Sequence, residues 1–174
     1  MADAPASGAG GGDPVEVQVL SAAPNLNSSE KVNFLGNYDL FKKYLDSSGI
    51  HYGEGTLEHG AKFFRLPERL KNEAVVQVLV IFSAHSVKVL IYDIAKIEGN
   101  EKIIACFNLF NNFAAQYNFF KFYLRANGDV TVEGDATLDI VEGKFRPEVL
   151  LGFVHSGLDL VQDVYEDIIK IQKS

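Results

Sequence analysis

The side chains best suited to chemistry are dispersed along this sequence. Four histidines stand at His51, His59, His85 and His155. None falls in an H-x-x-x-H or H-E-x-x-H spacing, and none neighbours the single cysteine, Cys106. Zinc requires three or four convergent ligands, and a lone histidine is more often a turn or surface residue than a ligand. Glu133, Asp135 and Asp139 share one side of a strand-like run and could present carboxylates to a cation. The commoner outcome is a solvated sheet face with Lys121 and Arg125 as cross-strand partners. The Gly-rich run at 8–12 lacks a preceding strand and a following Lys-Ser/Thr, so it is not a phosphate loop. No G-x-S-x-G elbow occurs. A ligand or reaction site would have to be assembled from distant residues such as His85, Tyr92 and Asp93. No catalytic, cofactor-binding or metal-binding residue is assigned, and no cofactor is expected.

Composition narrows the classes further. At 174 residues and 47% hydrophobic, the chain can bury the core of one domain. A net charge of −7 without basic clustering argues against nucleic acid and against an anionic membrane surface. One cysteine excludes a disulfide within the chain, and Cys106 reads as a small buried hydrophobe. No secretory h-region and no run of membrane-spanning length is present, so a cytoplasmic location is expected.

The elements that would position any site follow from periodicity. Residues 1–28, rich in Ala, Gly and Pro, read as a flexible tail, and 29–174 as a single α+β domain. Within the tail, Val15-Glu16-Val17-Gln18-Val19 alternates strictly, as would a strand added to a sheet edge. A first helix is expected from Asn27, with Asn27 and Glu30 at capping-box spacing. Phe34, Tyr38, Phe41 and Leu45 form its apolar face, and Gly49 stops it. Tyr52–Glu58 is a weak strand, loosened by Gly53 and Gly55. Ala61–Leu66 is a better one, ended by Pro67. Ala74–Ser83 is apolar on both faces, as in a strand covered on both sides or paired in an interface. Ala84-His85 then turns the chain into Ser86–Ile94. A second helix, about Asn100–Tyr117, is apolar around most of its girth, so burial on more than one side is expected. An aromatic hairpin follows, with Asn127-Gly128 fitting a type I′ turn. Phe120, Phe122, Leu124, Val130, Val132, Gly134, Ala136 and Leu138 form its core face. A last helix begins near Pro147.

The stretch FNLFNNFAAQYNFFKFYLRANGDVTVEGDATL resembles the YbjN family of bacterial proteins. Asn108 and Asn111 stand at the two Asn positions of that family's helix motif, with Phe107 and Phe110 replacing the usual Leu. Phe120, Phe122, Gly128, Asp129 and Val130 fit its hairpin. The resemblance covers roughly 34–171 but is distinctive only over 103–140, and it departs in the Ala/Gly-rich head. It implies a fold similar to type III secretion chaperones, α-β-β-β-α-β-β-α with about five antiparallel strands and three helices, commonly dimeric. It also implies a loose link to sensory transduction regulation. Asn108, Asn111, Asn127 and Gly128 are expected to be structural, the two helix amides satisfying backbone groups where helix meets hairpin. The expected function is a non-enzymatic, homodimeric interaction module or an adaptor for an extended protein segment. Phe107, Phe110, Phe113, Val78 and Val80 are its expected interface; a small-molecule sensor or enzyme is the alternative.

Overall fold

The computed structural model describes residues 28–83, 86–114, 116–136 and 145–174, with backbone alone for 28–35. The expected tail, the Asn27 cap, the Phe34 side chain, the Ala84-His85 turn, and Thr137, Leu138 and Asp139 lie outside the described residues. Among the described residues nine elements follow one another: α1 (Ser28–Ser47), β1 (Gly53–Thr56), β2 (Lys62–Arg69), β3 (Val75–Phe82), β4 (Val87–Tyr92), α2 (Asn100–Ala114), β5 (Phe120–Leu124), β6 (Val130–Ala136) and α3 (Pro147–Lys173). The fold is α+β, and the sheet has six strands in the order β1-β2-β3-β4-β6-β5, every neighbouring pair antiparallel.

The sixth strand corrects the expected count of about five, because four strands rather than three precede α2. One of the glycines that weaken β1 as a sequence signal is part of how it pairs. Gly55 stands opposite Phe63, and a Cβ there would meet the Phe63 ring at 2.5 Å. The missing side chain gives the ring its seat. Pro67 does not end β2, which continues to Arg69. Pairing with β1 stops at Arg65, so Pro67 has a strand on one side only among the described residues. Proline is tolerated at such an edge because its missing N–H can face outward.

Three hairpins share one turn. In Leu57–Ala61, Leu70–Ala74 and Arg125–Asp129, the first residue's N–H donates to the fifth residue's carbonyl at 2.8–2.9 Å. The fourth residue's N–H donates back to the first residue's carbonyl at 2.8–3.0 Å. That fourth residue is left-handed each time: Gly60 at φ +82°, Glu73 at +69°, Gly128 at +87°. This is the three-residue loop in which a left-handed bulge residue follows the turn. It corrects the type I′ reading of Asn127-Gly128, since Gly128 has positive φ and Asn127 does not. Asn127 acts through its side chain instead, accepting the Asp129 N–H at 3.2 Å. Gly128 is doubly constrained, because a Cβ would also stand 2.5 Å from the Ile97 carbonyl oxygen, whose residue donates its N–H to Gly128 at 2.8 Å.

All three helices lie on one face of the sheet. Tyr38 and Phe41 of α1 pack on Phe64 and Phe82, with ring centroids 4.4–5.7 Å apart. Phe110 of α2 stacks on Phe122 at 5.0 Å. From α3, Leu150, Val154, Gly157, Val161, Val164 and Ile168 are buried at three- and four-residue spacing, with Leu160 buried beside them. Phe120 is held between the sheet and α3. Its ring stacks on Phe153 at 4.5 Å and lies against both Gly134 and Gly157, where a Cβ would come within 2.5 Å and 2.8 Å of it.

Candidate functional site

Where apolar surface remains uncovered decides what this fold can contact. Six large hydrophobic side chains are exposed among the described residues: Leu40, Val75, Ile104, Phe107, Phe119 and Tyr123. Four of them belong to α2, to β5 or to the segment joining these elements. Phe107 is 50% exposed, Ile104 60% and Phe119 69%. The helical period explains the placement. Cys106 and Phe110 are buried, with Ile103 and Phe113 packed beside them. Ile104 and Phe107 stand about a quarter-turn or more away. Lys102, on the opposite side of the helix from Ile104, donates to the Gln172 carbonyl of α3 at 2.8 Å. The exposed side of α2 therefore faces away from α3. β5 beneath it ends the sheet, paired with β6 and with no strand on its other side among the described residues. An unpaired strand edge and an apolar helix flank thus lie together.

This arrangement redistributes the expected interface. Phe107 lies on the exposed flank and Phe113 is half-covered. Phe110 is 6% exposed and locked on Phe122, so it belongs to the core. Val78 and Val80 are also core residues: register aligns them with Ile91 and Val89 on the helix-covered face, and both are wholly buried. In a strand apolar on both faces, composition does not say which face the helices take. Among the described residues β3 is covered on one side only, and its other face carries half-buried Leu79 and Ile81. Likewise α2 is buried on one side rather than several among the described residues. Asn108 and Asn111 are exposed and make no side-chain hydrogen bond among the described residues, so the expectation of buried structural amides is overturned. They occupy the solvent side because Cys106 and Phe110 take the inward positions.

The polar groups form ties between elements. Glu54 of β1 accepts from Tyr38 at 2.7 Å and from Lys42 at 2.7 Å, fastening the β1 edge to α1. Lys42, then Tyr38, hold the Glu54 carboxyl below its usual range. Burial, then the Glu54 hydrogen bond, raise the Tyr38 phenol. Tyr52 is pushed up to about 12, chiefly by its 2.6 Å hydrogen bond to Asp46. On the opposite sheet face, Lys88 binds Glu133 and stands 3.9 Å from Asp135. Lys88, rather than the expected Lys121, is the partner because β6 is flanked by β4 as well as β5. Arg125 donates to Thr131 at 3.0 Å. Cys106 is buried, and burial raises its thiol.

His51, His59 and His155 are exposed at separate places, and His85 lies outside the described residues. Among the described residues no three His, Cys, Asp or Glu side chains converge as a metal site requires, and no helix is long and apolar enough to cross a membrane. Comparison of the chain with protein-family models, with curated proteins and with solved structures finds no match.

Proposed function

We propose that this chain is a non-enzymatic interaction module, a homodimeric adaptor or regulator whose copies meet through the β5 edge and the exposed flank of α2. The observation that supports this reading is that Ile104 and Phe107 of α2 and the adjoining Phe119 are exposed beside an edge strand with no second neighbour among the described residues, while Tyr123 of that strand is exposed on its other face. Edge strands invite pairing, and large apolar side chains beside one add area that association removes from water.

β5 is compatible with pairing to itself. In an antiparallel arrangement about a two-fold axis through Phe122, Lys121 stands opposite the second copy's Tyr123, and Phe120 opposite its Leu124. No like charges oppose one another. The resemblance of residues 103–140 to the YbjN family and its secretion-chaperone-like fold points the same way, toward a cytoplasmic bacterial protein that works by contact. The adaptor role would use the dimer to hold an extended segment of a further protein.

Sedimentation velocity of the whole chain at micromolar concentration tests the pairing. The dimer reading expects a species of twice 19.2 kDa, converted to monomer by Phe107→Glu without loss of helical circular dichroism. A wild-type monomer at all accessible concentrations would overturn it.

A further inference from the structure

The sheet face opposite the helices carries a second surface, separate from the α2–β5 flank. Register places Arg65, Leu79, Leu90, Glu133 and Lys121 in one row across it, and Phe63, Ile81, Lys88 and Asp135 in the next. Leu79, Ile81, Leu90 and Tyr92 are half-buried, and no helix covers them among the described residues. Charge on this face is polarised across the strands. On the β2 side, Arg65 is exposed and makes no ion pair among the described residues. On the β6 side, Glu133 and Asp135 share one cation, Lys88, which stands 3.9 Å from the exposed Asp135. Lys121 and Arg125 lie farther out, on β5 and just after it. An unpaired cation at one margin, a surplus carboxylate at the other and leucines between them form a pattern that complements itself.

We propose that this face packs on the same face of a second copy, sheet over sheet. The two-fold axis runs parallel to the strands, between β3 and β4, and exchanges β2 with β6 and β3 with β4. Leu79 then faces the second copy's Leu90, Gln77 faces its Tyr92, and Arg65 faces its Glu133, with Asp135 one row away. Each contact occurs twice, as an isologous interface requires. A two-fold axis across the strands would instead set Arg65 against Arg65 and Glu133 against Glu133, so charge selects the first arrangement. Aligned sheets cross at about 30°. At the distance of β2 from the axis that rotation is a displacement of about one residue, which keeps Arg65 between the two carboxylates. Lys121 falls at the rim, over the second copy's short β1, where Gly53 carries no side chain. Four strands over six residues offer roughly 400 Å² of flat footprint, less than the about 800 Å² of surface per partner in a stable interface. The contact is therefore weak and forms at higher concentration than the β5 pairing. The two do not compete, because antiparallel pairing at β5 extends the sheet in its own plane and leaves this face bare.

Sedimentation equilibrium of the whole chain carrying Phe107→Glu, from micromolar to millimolar concentration, tests the contact with the β5 pairing removed. The expected result is a monomer at the low end that associates to a dimer toward the high end. Leu90→Lys, which sets a charge beside the two-fold axis, should abolish that association. Arg65→Glu should weaken it about tenfold, at about threefold for each of its two ion pairs. Adding Asp135→Lys to Arg65→Glu should recover part of that loss, which a merely misfolded variant would not do. A Phe107→Glu chain that stays monomeric to millimolar concentration would overturn the inference, as would association indifferent to Leu90→Lys and Arg65→Glu. The outcome does not depend on the β5 pairing. If β5 does not pair, the wild-type and Phe107→Glu chains associate identically, and the Leu90→Lys comparison still reads the sheet face.

Discussion

Gly134→Ala tests how β5 is held at the rim of the sheet. The new Cβ would stand 2.5 Å from Cε1 and 2.6 Å from Cδ1 of Phe120, and 3.0 Å from Cζ of Phe153. Carbon atoms in good contact sit about 3.5–4.0 Å apart, so the overlap is roughly 1 Å. The Phe120 ring has no retreat: Gly157 of α3 lies against the same ring edge, and Phe153 stacks on the ring at 4.5 Å. Overpacking of this kind costs about 1–3 kcal/mol, against which the stiffer unfolded chain returns about 0.4–1 kcal/mol. The expected net loss is therefore about 1–2 kcal/mol, read from urea titration followed by far-ultraviolet circular dichroism. Phe120→Leu removes the offending ring carbons. In that background Gly134→Ala should cost nothing further, giving a coupling of about 1 kcal/mol or more. A neutral or stabilising Gly134→Ala in the wild-type background, or an equal cost in both backgrounds, would refute the reasoning.

Glu73 occupies the left-handed bulge position that glycine fills in two sister turns, so Glu73→Gly should stabilise the fold by about 0.5–1 kcal/mol in thermal melts. The exposed Arg69–Glu73 pair it removes is worth little. Gly128→Ala, with both positive φ and the Ile97 carbonyl against it, should instead destabilise. Burial raises the Glu68 carboxyl, with the charge of His155 opposing in part. A raised carboxyl favours folding fully below its unfolded range, and that contribution is lost as pH rises through the folded value. Glu68→Gln should thus stabilise near pH 7, with the gain fading as pH falls into the ordinary carboxylate range. Glu54, held low by Lys42 and Tyr38, has the opposite sign. Its contribution is present above the ordinary carboxylate range and lost as pH falls through the depressed value, so Glu54→Gln should flatten the acid limb of the stability curve.

Much of the architecture was legible because periodicity reports burial. Tyr38, Phe41 and Leu45 carry their period openly, and each is buried as the period requires. Gly49 at φ +66° likewise stands where the α1 stop was expected. What sequence could not supply was the choice between equivalent faces. β3 is apolar at Val78 and at Leu79 alike, and only the packing of α1 and α3 shows which side is core. The α2 motif misled for a related reason. Phe107 and Phe110 are the same residue type three positions apart, yet one is half-exposed and the other stacked on Phe122. β1 was hard to read because its Gly55 is the complement of Phe63, a relation visible only across strands. The sheet face that no described helix covers left a faint trace, since Leu79, Ile81 and Leu90 are more apolar than a solvated face needs.

Amide hydrogen exchange along β5 at low and high protein concentration tests the pairing surface most directly. Interaction through this edge predicts that Phe120–Leu124 amides not bonded to β6 gain protection as concentration rises, together with the exposed flank of α2 around Phe107, and lose it in Phe107→Glu. Rapid exchange at those amides at every concentration, with the rest of the sheet protected, would contradict it.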